Sequence, residues 1–457
     1  MAARKPRAVA TAYILQDGLM NGRARACRGL LTMAALFGTA SMAGTARAQL
    51  IQQNFPAGIP GYEPNLEASV VTHMMQENQA NGAEVGDFIV KPKFSESGGY
   101  DSAPIGSENA GSSTINSQAS VNVNSDWGRD ALGASFSVDD HHYLNLPEAN
   151  YTNWVAGVGG ALTLGNDTAS LAYSHQADHL NAQDLGVVGV ATPVPYGVDD
   201  VRLSYQKLFS RLSITPSFEY ESYKFGSSAG ALTISDNALS HRIESGAVTG
   251  SYGFAPGNAA VVIVRLSEAR FPAATMDDYL DTGGFAGLDF RGSSIIQYRA
   301  LAGYEIRRFN HLSGVSIGTP VFELDSVWMP TGLDTVTVSA YREFSDPTSA
   351  FARDQIVTYG SLELDHELRE NFFLRADAHI GRSQPESAIA AFGVDNQTQY
   401  GFGAAAFWNL NHNLTATLSY NFLNNRDSGN ATQALASSGN HPDFTSNIIM
   451  LGFTLYE

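Results

Sequence analysis

The sequence predicts an all-β fold: a single transmembrane antiparallel β-barrel of about 16–18 strands, of outer-membrane type. Three observations predict it. The chain opens with an export signal. Its body alternates apolar and polar residues with a period of two. The connections between the alternating segments are short and long by turns.

The 457 residues hold 27 Lys and Arg against 45 Asp and Glu, a net charge of −18, and only 16% are charged. That fraction is below the roughly 25% usual for soluble domains. An acidic sum of this size argues against a broadly basic surface, so no nucleic-acid partner is expected. No run of about 18 apolar residues follows residue 50, so no helical span is expected there. The apolar run Leu30-Leu31-Thr32-Met33-Ala34-Ala35-Leu36-Phe37-Gly38 follows Arg23, Arg25 and Arg28 and leads to Ala46-Arg47-Ala48, a small-x-small cleavage signature. Residues 1–48 therefore read as a secretory signal peptide cut before Gln49, with Met20 as an alternative start. Cys27, the one cysteine, lies within it. Its loss leaves a mature chain without disulfides, thiolate chemistry or cysteine-ligated metals.

Residues 49–87 contain Pro56, Pro60, Gly61 and Pro64, with one short helical pattern over 66–77. Three placements fit this N-terminal segment: a plug in the lumen, a path along the periplasmic rim, or no fixed structure. The barrel itself is expected over 88–457. Leu414, Ala416, Leu418, Tyr420 and Phe422 interleave with Thr415, Thr417, Ser419 and Asn421, and 212–220 alternates in the same way. Successive strand side chains point to opposite faces, so each segment has one apolar and one small, polar face. Ascending strands are expected near 88–98, 129–144, 168–178, 212–222, 258–270, 311–318, 335–344, 372–383 and 413–423. Descending partners are expected near 113–126, 151–164, 197–208, 240–252, 292–305, 321–329, 353–366, 394–408 and 445–457. The count is eighteen, or sixteen if 307–330 is one irregular excursion. Turns such as Gly165-Asn166-Asp167 and Pro256-Gly257-Asn258 are short, whereas 179–196, 223–239 and 271–291 are long. Closure has a physical cause: an open sheet edge in hydrocarbon leaves unpaired backbone groups that cost several kcal/mol each, to order of magnitude.

In the last strand Ile449, Leu451, Phe453 and Leu455 are expected to face lipid, with Met450, Gly452 and Thr454 inward. Bacterial barrels commonly end on an aromatic that the barrel assembly machinery reads. Here Tyr456 is penultimate and Glu457 last. The same parity argument sets the lumen. Glu363 and Asp365 on one strand and Arg375, Asp377 and His379 on the next fall on one inward patch. Arg202, Glu219, Arg265, Tyr341 and Glu343 are further lumen-lining candidates. Such a lining suits a water-filled passage, or it arises because charged groups pair across the wall to offset their burial. A lining of both signs need not select strongly between ions.

Asp101, Glu108, Asp178, Asp184, Asp236, Asp277, Asp278 and Asp281 fall in or near the long loops. There they repel anions, bridge divalent cations between lipopolysaccharides, or simply keep the loops wet. His141 with His142, and His175 with His179, have no accompanying Cys or acidic motif. Surface histidines are expected there, and no metal or other cofactor. Tyr143, Tyr151, Trp154, Trp328, Phe407 and Trp408 lie near strand ends and are expected in interfacial girdles, or as sugar-stacking platforms where they point inward. There is no G-x-S-x-G elbow, no H-E-x-x-H and no P-loop, so no enzyme is expected.

The run Gly86-Asp87-Phe88-Ile89-Val90-Lys91-Pro92, followed by Gly99-Tyr100-Asp101, resembles the opening of the putative beta-barrel porin type 2 family. Asp140-His141-His142-Tyr143 and the runs 327–337 and 362–372 are similar to that family as well, and the likeness covers most of 86–457. It departs after Tyr100-Asp101, where Ser102-Ala103 stand in place of a second acid and an Asn. The resemblance implies an outer-membrane protein of Gram-negative bacteria, often associated with capsule or exopolysaccharide production and export. It supplies no catalytic or ligand residues to transfer. The expected function is a passive passage for polar solutes, with exopolysaccharide as one cargo. A general diffusion porin and a non-conducting structural or adhesive scaffold are the alternatives. The expected partners are outer-membrane lipid and lipopolysaccharide, the assembly machinery and polysaccharide export proteins.

Overall fold

The computed structural model describes residues 59–60, 82–107, 110–187, 192–226, 238–293, 295–312, 314–346, 348, 352–387, 396–428 and 443–457. The expected signal peptide and most of 49–87 lie outside them.

A short strand, β1 (Ala83–Val85), folds back on β2 (Phe88–Asp101). Ascending strands are β2, β4 (Ala131–Tyr143), β6 (Asp167–Leu180), β8 (Leu212–Phe225), β10 (Asn258–Arg270), β12 (Ile296–Phe309), β14 (Asp334–Ser345), β16 (Phe372–Ser387) and β18 (Leu414–Ser428). Descending strands are β3 (Ser112–Ser125), β5 (Tyr151–Leu164), β7 (Val194–Leu208), β9 (His241–Ala255), β11 (Tyr279–Phe290), β13 (Ser316–Trp328), β15 (Ala352–Arg369), β17 (Asn396–Asn411) and β19 (Phe444–Tyr456). Each pairs antiparallel with its sequence neighbours, and β19 returns to β2 through Ile448↔Asp101 to Tyr456↔Lys93. The result is a closed 18-strand barrel with no free edge.

One rim carries tight turns. Gly165 and Gly257 take φ of +73° and +72° there, the left-handed conformation that glycine adopts at low cost. Connections at the other rim are mostly longer, such as those between β6 and β7 and between β8 and β9. The inside-out pattern is explicit in β19. Ile449, Leu451, Phe453 and Leu455 are about half exposed on the outer wall, while Met450, Gly452, Thr454 and Tyr456 are buried inside. Val264, Leu418 and Phe402 are likewise exposed on the outer surface. A continuous apolar exterior of this kind is the lipid-facing band of a barrel. No helix among the described residues is long and apolar enough to cross a membrane; the crossing elements are strands.

The count of eighteen holds, but two expected boundaries fail in compensating ways. The expected long loop 271–291 contains β11, and the stretch near 292–305 ascends as part of β12 rather than descending. The expected pair 311–318 and 321–329 is one descending strand, β13. In β11 the outward residues Gly284 and Ala286 are small, whereas Phe285 points inward, so its two faces differ little in hydropathy. Pro320 lies within β13. It is tolerated because β14 pairs with β13 only from Phe322↔Arg342 downward, so Pro320 lies where one side of the strand has no ladder to supply.

A piece of the N-terminal segment enters the barrel. Ile59 is fully buried and packs on Ala172 of β6. Gly159 of β5 makes room for it, since a Cβ there would lie 2.6 Å from Ile59 Cγ2.

Candidate functional site in the lumen

Strand parity places all ten lumen-lining candidates on the inner face of the wall. They gather in two regions. On β15 and β16, Asp365 lies directly opposite Arg375 and Glu363 directly opposite Asp377. Arg375 donates from Nε and Nη2 to the two oxygens of Asp365 at 2.7 and 3.1 Å, and Nη2 is also 3.1 Å from Glu363. Asp377 Oδ2 and His379 Nδ1 accept or donate no hydrogen bond. Beside them runs an aromatic row. Tyr341 of β14 stacks on Tyr359 of β15 at 5.4 Å, and Tyr359 on His379 at 6.0 Å, centroid to centroid.

The second region spans β7 to β12 and the top of β14. Arg202 faces Glu219 across the β7–β8 ladder, 4.0 Å apart. Arg265 donates to Glu305 at 2.8 Å. Glu343, 3% exposed, shares one cavity with Glu219, Arg265 and Arg307. Several groups here were not among the lumen candidates read from sequence: Asp200, Glu221, Glu305 and Arg307, and Asp281, which was expected in a long loop. Asp200 and Glu221 sit two residues from Arg202 and Glu219 on the same faces, so extending the parity by one step finds them. Asp281 and Arg307 lie on the misassigned stretches, which hid their direction. Arg307 makes a two-point contact with Asp281 at 2.9 and 2.8 Å and lies 3.6 Å over the Tyr279 ring.

Two connections at the long-loop rim fold inward. After β6, Gln183 donates to Asp101 Oδ2 and to the Ala103 carbonyl, both at 3.0 Å. Gln399 and Gln397 of β17 donate to the carbonyls of Gln183 and Val187 at 2.7 and 3.1 Å. Thr348 donates to the Gly186 carbonyl at 2.6 Å. Gly186 has φ +90°, and any Cβ there would meet the Gln355 amide. Residues 181–187 thus reach from β6 to β17, across the inside of the ring. After β14, Asp346 accepts from the Tyr279 hydroxyl and sits 3.2 Å from His241 Nε2 and 3.8 Å from Arg307 Nη1. Burial pushes its carboxyl up, but His241, Arg307 and the Tyr279 bond outweigh burial and hold it down at about 2.

The expected girdle divides. Trp154, Trp328 and Trp408 are exposed on the outer wall. Tyr143 and Phe407 are buried on the inner face, and Tyr151 stacks on inward His141 at 4.5 Å, so these three are lumen residues instead. Of the acids expected in loops, Asp101, Asp178 and Asp281 are strand residues, and Glu108 and Asp236 lie outside the described residues. His141 and His142 point to opposite faces of β4, and His175 pairs with Asp199 at 2.7 Å. Among the described residues no group of three or more His, Cys, Asp or Glu is arranged to hold a metal.

No curated protein matches the sequence. Among solved structures, OccK2 (OpdF) of Pseudomonas aeruginosa is similar with TM-score 0.45 and 9% identity, covering 81% of this chain and 98% of its own. A BenF-like porin from Pseudomonas fluorescens Pf-5 gives TM-score 0.45 and 10% identity over 82% of this chain and 100% of its own. The FrpB iron transporter of Neisseria meningitidis gives 0.43 and 10% over 79% and 64%. At the level of sequence, residues 77–456 match the family model described as Putative beta-barrel porin 2. A match over that much of the chain, on a closed barrel of this build, means that the protein belongs to the putative beta-barrel porin 2 family.

Proposed function

We propose that the barrel is a passive outer-membrane passage for hydrated polar solutes, and that a secreted polysaccharide is its cargo. In this reading residues 1–48 are the export signal, 49–87 the N-terminal segment before the barrel, and 88–457 the channel. Its surroundings are outer-membrane lipid and lipopolysaccharide, it reaches them through the barrel assembly machinery, and polysaccharide export proteins deliver the cargo. The observation that carries the reading is the closed ring with an apolar exterior and an inner wall of charged and aromatic side chains. The row Tyr341, Tyr359 and His379, flanked by Glu363 and Asp377, supports the sugar. A pyranose ring offers an apolar face that lies on aromatic rings, while its hydroxyls donate to carboxylates.

Planar-bilayer recording tests this. The purified barrel is expected to conduct, and neutral oligosaccharides are expected to interrupt its current. Tyr341→Ala and Tyr359→Ala should each shorten the interruptions about tenfold, since one lost stacking contact is worth about 1 kcal/mol or somewhat more. Current without interruption leaves a general diffusion porin. Absence of current favours a second reading, a closed structural scaffold. That reading draws on Ile59 and residues 181–187, which occupy the lumen.

A further inference from the structure

Inside the barrel the arginines are matched by carboxylates of the wall, as Arg265 is by Glu305 at 2.8 Å and Arg375 by Asp365 at 2.7 Å. One arc of the outer wall is different. Arg342 of β14 lies opposite Thr358 of β15, Thr358 opposite Arg382 of β16, Arg382 opposite Thr398 of β17, and Thr398 opposite Arg426 of β18. These residues form one line across five neighbouring strands. They share strand parity with the exposed Leu362, Ile380, Phe402 and Leu418, and directly opposite residues share a face, so the line is on the membrane-facing side. Arg342 donates to the hydroxyls of Thr358 and Thr319 at 2.7 and 3.3 Å, and Arg426 to Asn424 Oδ1 at 3.2 Å. Arg382 is exposed and has no partner among the described residues. Asp443, just before β19, accepts from the Asp427 amide at 2.7 Å and forms no ion pair with Arg426. Three cations thus face only neutral groups, in a chain whose net charge is −18.

The height of the line on the wall matters. Below it the outward positions are apolar: Ile380, Ala378, Ala376 and Leu374 on β16, and Tyr400 and Phe402 leading down β17 to Trp408 near the tight-turn rim. Trp408 to Tyr400 is about 26 Å along the strand, or about 20 Å in height at the usual tilt, which approaches the apolar height of an outer-membrane barrel. The arginines therefore stand just above the apolar band at the long-loop rim, at the depth of outer-leaflet headgroups, where a lipid-facing cation costs little. Alternate strands are about 10 Å apart, so the three guanidinium groups are spread over about 20 Å, with a threonine hydroxyl between each two. A guanidinium binds phosphate oxygens two at a time. A lipid with a single phosphate occupies one position, whereas a headgroup with several phosphates can engage the whole line. We infer that this line is a docking site for the phosphorylated headgroup of lipopolysaccharide, with the arginines on its phosphates and the Thr358 and Thr398 hydroxyls donating between them. The inference rests on the outer-membrane surroundings proposed above and does not depend on conduction.

The test titrates the full mature barrel, delipidated in dodecyl maltoside, with three lipids and counts bound lipid by native mass spectrometry. The lipids are bisphosphorylated lipid A (the membrane anchor of lipopolysaccharide), the same lipid A without phosphates, and phosphatidylglycerol. Bisphosphorylated lipid A is expected to bind more tightly than the other two. Arg382→Gln and Arg426→Gln should each weaken it about fivefold, and the double variant about twenty-five-fold. The single variants keep the readout if the double variant does not assemble. Arg270→Gln removes an outer-wall arginine already matched by Glu268 at 2.9 Å and should change nothing. Equal lipid A affinity in the unaltered barrel and the double variant, or an equal loss in Arg270→Gln, overturns the inference while leaving the passage intact. Equal affinity for lipid A and phosphatidylglycerol also overturns it, since the line would then serve any anionic lipid. Absence of current in a planar bilayer removes the passage and leaves the docking site. Fractionation of the protein away from the outer membrane would remove the setting and the site together.

Discussion

Arg375 shows what a single lumen side chain does for the wall. Its guanidinium is 10% exposed and holds both oxygens of Asp365, itself 4% exposed. Removing the cation leaves Asp365 buried beside Glu363 and Asp377 with no compensating charge. Loss of one partner from a buried pair costs about 3–5 kcal/mol. Arg375→Ala is therefore expected to lower the temperature at which the folded barrel converts to its slower-migrating unfolded form on a heated gel. Replacing both partners, as Arg375→Met with Asp365→Leu, should recover much of the loss, because the uncompensated charge goes too. An equal loss in the single and double variants would refute the pairing. At this scale the sequence is informative. Once a strand is recognised, period two assigns each residue to a face, which is why Arg375 and Asp365 fall on one inward patch in the sequence reading. The exact cross-strand partner depends on register, which alternation alone leaves free by any even number of residues.

Among the elements, the inward loop after β6 is expected to respond to pH. Asp184 caps its own turn, with Oδ2 accepting from the Asn181 amide at 2.7 Å. Burial, against the opposing Asn181 bond and with help from Asp178, pushes its carboxyl up to about 7. A free aspartate titrates near about 3.9. The docked loop therefore keeps its proton through the range where an undocked loop has lost it. Docking is strongest below the free value, weakens as pH rises between the two, and is weakest above about 7. Conductance is expected to be higher and more variable at pH 8 than at pH 5. Asp184→Asn should hold the low-pH behaviour at both. A flat or reversed profile in the unaltered barrel would count against docking controlled by this group. Such a contact was not legible beforehand. Gln183, Gln397 and Gln399 are ordinary polar residues until the loop is seen to lie across β17. The strand errors have a different origin: β11 has small residues on its outer face, and β13 contains Pro320, so the alternation that marks other strands is faint or interrupted there.

For the whole molecule, closure was predictable from the alternation of turn lengths, but the evenness of the wall was not. The ladder between β12 and β13 runs the full length from Ile296↔Trp328 to Arg308↔Ser316. The next one, between β13 and β14, ends at Phe322↔Arg342. Above that point Ser316–Val321 pair only with β12, and Glu343–Ser345 only with β15. Arg342 spans the cleft, donating to Thr358 Oγ1 at 2.7 Å and to Thr319 Oγ1 at 3.3 Å. The wall thus lacks a backbone ladder along one line near its long-loop rim, and Arg342 bridges that line. Amide hydrogen exchange on the barrel in detergent should find 316–321 and 343–345 exchanging faster than the middle of β10, which is paired on both sides. Arg342→Ala should carry fast exchange down into 322–324. A hydrogen bond from a charged donor contributes about 1.5 kcal/mol or more, so the increase there is expected to be about tenfold or greater. Uniform protection of β13 along its length, or no change in 322–324 on removing Arg342, would mean that the wall is closed by contacts other than this bridge.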